Sequence, residues 1–163
     1  MFRRLPLALR ASLAALVLPG VVVYLIPWLL AGSDRSPINR DWWHWLGTPF
    51  IGLGLIGLGS SIIEFARRGR GTLAPIDPPS QLVRGGLYQV TRNPMYCANV
   101  ASLAGQTLLY GSAAVAVYSI LVTLAFHTFV VLYEEPALLR AFGPSWSEYA
   151  NRVPRWVGVR RPR

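Results

Sequence analysis

Apolar and polar positions alternate in long blocks along this chain. Residues 11–31, 46–65, 95–110 and 113–133 are four runs dominated by Leu, Val, Ile, Ala, Gly and aromatic side chains. A helix needs about 20 apolar residues to cross the hydrocarbon core of a bilayer. The runs therefore predict an all-α, polytopic membrane bundle of about four spans. The third run, at 1.5 Å per residue, is about 24 Å long and short for a span. Pro19 and Pro27 predict kinks in the first helix, tolerable where neighbouring helices satisfy the freed carbonyls. Trp42, Trp43 and Trp45 mark a water–lipid boundary before the second run. The third and fourth runs are joined at Gly111-Ser112, too short a link to carry the chain back across a bilayer. The two must be antiparallel, so Arg92, Asn93 and Tyr96 fall at the same membrane face as Glu134 and Glu135. A short C-terminal cytoplasmic helix is expected over 136–143, with Leu138, Leu139 and Phe142 on one side and Gly143-Pro144 as its stop.

Composition agrees with the pattern. Of 163 residues 53% are hydrophobic, and mean hydropathy is +0.38, too apolar for an ordinary soluble domain. The length suits a single membrane domain. The formal charge is +9, and all 16 basic residues are arginine. Without lysine, Schiff-base chemistry and a P-loop are excluded. The arginines flank apolar runs at the N-terminus, in the 66–92 loop and in the tail from Arg152, which is the positive-inside arrangement and argues against nucleic-acid binding. It places both termini in the cytoplasm, and we read the chain as an integral protein of a bacterial inner membrane. The basic start could belong to a cleaved signal peptide, but the apolar run after it is longer than the usual 7–15 residues, and a retained span is expected. Pro75, Pro78 and Pro79 keep the 66–92 loop from being one helix.

Gly52-Leu-Gly54-Leu-Ile-Gly57 matches a dinucleotide fingerprint by letters only. That fingerprint needs a strand before it and a helix after it, whereas glycines inside an apolar helix allow close helix packing. Asn93-Pro94 reads as a helix start, with Asn as N-cap and Pro at the first helical position. Asn99, Ser102 and Gln106 share one helix face, either for interhelical hydrogen bonds or as the wall of a polar channel. His127, about 9 Å from its helix end at helical rise, is a candidate for site lining or for packing. Cys97 alone permits no disulfide, and no metal site is expected.

The two polar clusters could bind one ligand. Arg92 stands before a helix N-terminus, which favours a carboxylate or phosphate. Glu134 and Glu135 could take an ammonium or a proton, and Tyr88, Tyr96, Phe142, Trp146 and Tyr149 could flank a ring or a cation. S-adenosylmethionine presents a group for each. The other reading is simple pairing of the glutamates with Arg92 and tail arginines at a helix end.

The letters Gly86-Leu-Tyr-x-x-x-Arg-Asn-Pro-Met-Tyr96, Glu134-Glu-x-x-Leu-x-x-x-Phe-Gly-x-x-Trp-x-x-Tyr149 and Arg152-Val-Pro-Arg155 resemble the isoprenylcysteine carboxyl methyltransferase and phospholipid methyltransferase superfamily over about residues 71–155. The resemblance implies a polytopic methyltransferase using S-adenosylmethionine, with a cofactor region at 71–96 and 134–155. Its acceptor would be a lipidic or small hydrophobic molecule drawn from the membrane. Carried over by position, the cofactor-binding residues are Tyr88, Val90, Arg92, Asn93, Pro94, Tyr96, Glu134, Glu135, Phe142 and Tyr149. Gly143 belongs to the second motif and Arg155 to the closing one. Arg92 and Glu135 are the candidate catalytic residues, Arg92 to hold a carboxylate and Glu135 as base for an amine acceptor. Carboxylate, amine and thiol acceptors all stay open. The family usually has His where this chain has Asn93, Gly where it has Ala98, and Tyr where it has Trp146. An NADPH-dependent membrane reductase of related fold, or a non-catalytic protein with a vestigial site, are the alternatives. Oligomeric state is not written in the pattern.

Overall fold

The computed structural model describes residues 19–33, 41–68 and 81–157. The basic N-terminus and first half of the first run, the polar link at 34–40, the loop prolines Pro75, Pro78 and Pro79, and the last arginines of the tail lie outside the described residues. Helix α1 spans Gly20–Ser33. Helix α2, Gly47–Arg68, follows a short 3-10 turn at Trp42–Leu46. Helix α3 is Pro94–Tyr110, α4 runs over Ala113–Phe142, and α5 is Pro144–Arg152. No strand occurs among the described residues. Among the described residues two helices are long and apolar enough to cross a membrane: the stretch Trp42–Arg68, of mean hydropathy 1.7, and Ala113–Phe142, of mean hydropathy 2.2. The described part of α1 and the 17 residues of α3 are shorter than a span.

Helix α3 is the centre of the bundle, and Ala98, Asn99, Ser102, Leu103, Gly105 and Gln106 are all buried on it. It crosses α2 at very short range, because small residues face each other. A Cβ at Gly47 would overlap the Gly105 carbonyl oxygen, and one at Gly54 would strike Ser102 and Ala98. The glycine repeat is thus a packing device at Gly54 and Gly57, while Gly52 and Gly59 have open space beside them. The turn between α3 and α4 is as short as expected. Gly111 takes a left-handed conformation (φ 59°) at the end of α3, and the Ser112 hydroxyl accepts from Val115 N–H to start α4.

The two helices that carry a proline in their interior, α1 and α4, each widen into a π turn just before it. In α1 the turn is Gly20–Leu25 and the proline is Pro27. In α4 it is Val130–Glu134 and the proline is Pro136. A proline ring collides with the carbonyl four residues back and has no N–H to give it; the wider turn relieves the collision. In α1 the orphaned oxygens find donors on other helices. Tyr118 Oη donates to Val22 O at 2.7 Å, and Gln106 Nε2 to Val23 O at 2.7 Å.

This corrects one expectation. The fourth run does not end at 133 with a separate helix over 136–143. The π turn absorbs Pro136, and α4 continues unbroken to Phe142. The chain then turns at Gly143 (φ 52°) into a distinct helix, α5, which carries Trp146 and Tyr149 inward.

Candidate active site

The site lies where the start of α3, the π turn of α4, helix α5 and the segment after it meet. The described arginines, Arg67, Arg68, Arg84, Arg92, Arg140, Arg152 and Arg155, belong to the segments at this end of the bundle. Three hydrogen bonds join the segment before α3 to the closing segment. Arg92 N–H donates to Pro154 O at 2.9 Å, Thr91 Oγ1 to Arg155 O at 3.0 Å, and Asn93 Nδ2 to the same Arg155 oxygen at 3.0 Å. Asn93 does precede the first residue of α3, but its side chain does not cap the helix. The expected capping role is replaced by this cross-link, because the buried Arg155 carbonyl lies within reach of the amide.

Glu135 is the hub. Arg155 grips it with both ends of its fork, Nε to Oε1 at 2.9 Å and Nη2 to Oε2 at 2.7 Å. Arg92 Nη1 lies 3.1 Å from Oε1. The side chains of Arg92 and Glu135 are only 12% and 13% exposed, so this network is held largely out of water. The bond to Glu135 is the main cause that raises the Arg155 guanidinium further above its ordinary range. The neighbouring Glu134 turns elsewhere: Tyr96 Oη donates to its Oε2 at 2.9 Å. Adjacent residues on a helix point about 100° apart, so the two acids address different partners, and the π turn that ends at Glu134 is of a kind that clusters at functional sites.

Aromatic residues surround the network. The Arg92 guanidinium carbon lies 5.7 Å from the centre of the Trp146 ring, within cation–π range. Tyr149 Oη donates to Tyr88 O at 2.7 Å, and Arg84 covers the Tyr149 ring at 5.9 Å while donating to Ser145 O. Burial pushes the Tyr149 phenol up to about 12, against the pull of Arg92 and Arg84. Burial, and then the nearby Glu134 charge, also raise Tyr88. Phe142 packs against the buried cluster of Trp146, Tyr149 and Val153. Tyr149 and Phe142 therefore brace the closing segment. Pro94 is buried as the first residue of α3, while Val90 is 54% exposed at the turn before it.

Other polar groups divide by role. Ser102 meets Tyr24 Oη at 2.9 Å, and Gln106 serves Val23, so these two take the interhelical role. Asn99, on the same face and one turn nearer the site, keeps a buried Oδ1 that meets no donor among the described residues. His127 accepts at Nδ1 from Trp156 Nε1, 3.2 Å away. Cys97 touches the Thr91 hydroxyl at 3.7 Å.

Sequence reasoning passed over Glu64, Thr91 and Trp156. Glu64 is an acid in an apolar helix, a signal in itself. It pairs with Arg68 at 2.7 Å and packs so tightly on the following turn that any side chain at Gly85 would strike it. It thereby ties α2 to the turn that carries Tyr88.

The described residues thus form an apolar helical bundle with a largely buried arginine–glutamate network at one end. The phospholipid methyltransferase family model matches residues 42–145, well over half of the chain, and the chain belongs to that family. Membership of this family implies a methyltransferase acting on a membrane lipid. No curated protein and no solved structure matches it. The match takes in Arg92, Tyr96, Glu134 and Glu135; Trp146, Tyr149 and Arg155 lie just beyond it.

Proposed function

We propose that this protein uses S-adenosylmethionine to methylate the amine of a membrane phospholipid at the cytoplasmic face. The observation that carries this reading is the convergence of two sequence-distant motifs on one network, Arg92–Glu135–Arg155, beside the Tyr96–Glu134 pair. The donor set fits the cofactor. Arg92 would hold its carboxylate, with Tyr88, Tyr96 and Trp146 around the base and the positive sulfur, and Glu134 would be left to face the acceptor. When bound, S-adenosylmethionine supplies an electrophilic methyl group on a sulfonium.

The protein's own contribution is placement and exclusion of water. Glu135 has both oxygens engaged by guanidinium groups, so we assign it to holding Arg92 in place and not to taking a proton. An ammonium acceptor must lose a proton before its nitrogen can attack. Glu134, bound on one oxygen by Tyr96, is the better-placed proton acceptor. The freed nitrogen lone pair would then face the methyl group that the cofactor supplies. The arginines gathered at this end support a cytoplasmic placement.

The test is a titration of the purified protein in detergent with S-adenosylmethionine, followed by transfer of a labelled methyl group to amine phospholipids in vesicles. Saturable binding and labelled lipid are expected. A folded protein that binds no S-adenosylmethionine, or binds NADPH in its place, would refute the reading.

A further inference from the structure

An apolar groove of about 510 Å³ runs along the bundle between α3 and α4, with Phe50 of α2 at its side. On α3 it is lined by Val100, Ala104 and Thr107, and on α4 by Ala116, Ile120 and Thr123. Its few hydroxyls are satisfied from within. Thr107 donates to Leu103 O and also meets Ser119, and Thr123 donates to Ser119 O. The lining therefore has no unmet demand for water or for a polar ligand.

The groove points at the site. Positions 96, 100, 104 and 107 fall on one face of α3, and 116, 120, 123 and 127 on one face of α4, by the three- and four-residue spacing of a helix. The last lining residue of α3 toward the site is Val100, and one turn beyond it on the same face stands Tyr96, whose ring packs against Phe126 at 5.0 Å and whose hydroxyl donates to Glu134. On α4 the lining ends at Leu124, and His127, which is exposed, stands about one turn beyond it. An indole N–H only donates, so the contact from Trp156 makes His127 Nδ1 the acceptor, and the neutral ring carries its proton on Nε2. His127 thus offers a donor, and not a lone pair, about one turn beyond the groove.

We propose that this groove binds one acyl chain of the acceptor phospholipid and that His127 Nε2–H donates to the lipid's phosphodiester, which sets the amine against Tyr96 and Glu134. The occupant is an acyl chain because the groove is lined mainly by apolar side chains, lies along a helix that is long and apolar enough to cross a membrane, and stops one helical turn from Tyr96, which holds Glu134. This rests on the function proposed above and adds to it where the acceptor lies and which atom holds its phosphate.

Two measurements test it on the full chain in nanodiscs. In the first, an amine phospholipid with a photoreactive group in its acyl chain is cross-linked and the products are mapped. Labelling should concentrate on peptides of α3 and α4 that line the groove, and Ala116→Trp should abolish it. Labelling spread equally over the outer faces of all helices would overturn the proposal. In the second, KM is measured with a long-chain diacyl amine phospholipid, with a short-chain analogue and with a long-chain amine lacking phosphate. Ala116→Trp should raise KM at least about tenfold for the long-chain phospholipid only, from the apolar contact it displaces. His127→Phe should raise KM for both phospholipids and leave the phosphate-free amine unchanged; unchanged phospholipid KM in both variants would also overturn it. Binding of S-adenosylmethionine, measured by calorimetry, separates the two levels. Intact binding and turnover with insensitive groove variants sinks the groove alone, whereas no binding in the wild type removes the function on which it rests.

Discussion

Arg92 Nη1 lies 3.1 Å from Glu135 Oε1, in a network that keeps both side chains nearly out of water. That contact requires α3 and α4 to be antiparallel neighbours, and it makes the two residues energetically one unit. Removing Glu135 takes this partner from the largely buried Arg92 charge, at a cost of about 3 kcal/mol, while removing Arg92 leaves Glu135 to Arg155 but deletes the group proposed to hold the cofactor. We predict that Glu135→Gln and Arg92→Ala each lower methyl transfer about a hundredfold, since each about 1.4 kcal/mol is a factor of ten in rate. Their double mutant should be little worse than either alone. Additive losses in that cycle would mean that the two groups act separately.

The antiparallel hairpin was legible because Gly111-Ser112 left no other geometry for two apolar runs, and the meeting of Arg92 with Glu135 followed from it. The true end of α4 was not legible. A proline after two acids reads as a break, and only the π turn at Val130–Glu134, an accommodation in three dimensions, lets the helix pass through. Asn93 was placed at the right position and given the wrong partner, because the Arg155 carbonyl comes from a segment whose position no local rule supplies. Glu64 could have been found, as an acid within an apolar run.

The α2–α3 crossing offers a sharp contrast between glycines of one repeat. A Cβ at Gly54 would run into Ser102 and the Ala98 backbone, whereas Gly52 has nothing near it. Gly54→Ala should destabilise the protein by about 1–3 kcal/mol, as overpacking does. Gly52→Ala should be neutral or slightly stabilising, since Ala is the better helix former by about 1 kcal/mol. Thermal unfolding in detergent distinguishes them, and equal midpoints for the two variants would contradict the crossing.

Gln106 and Tyr118 are needed because Pro27 gives no N–H to α1. Gln106→Leu orphans Val23 O and should cost about 1 kcal/mol, the usual net worth of such a bond. If the proline is the cause, Pro27→Ala should make the same substitution nearly harmless, because an N–H then returns to the helix. A full cost of Gln106→Leu in the Pro27→Ala background would show that the glutamine serves some other purpose.

Alkaline stability should report on the closing segment. Tyr149 is buried, donates to Tyr88 O, and has its phenol raised from 10.0 to about 12. In the unfolded chain the phenol ionises at its ordinary value, so between these two limits the unfolded state releases a proton that the folded state retains. Stability from this group is whole below pH 10 and is lost as pH rises toward 12, where the folded state must also give up its proton and with it the bond to Tyr88. Tyr149→Phe lowers stability at neutral pH by losing that bond, but it removes the proton that drives the decline. Unfolding midpoints measured from pH 8 to 12 should therefore converge for wild type and Tyr149→Phe at the alkaline end. Parallel curves across the whole range would mean that the Tyr149 hydroxyl is not held as the structure places it.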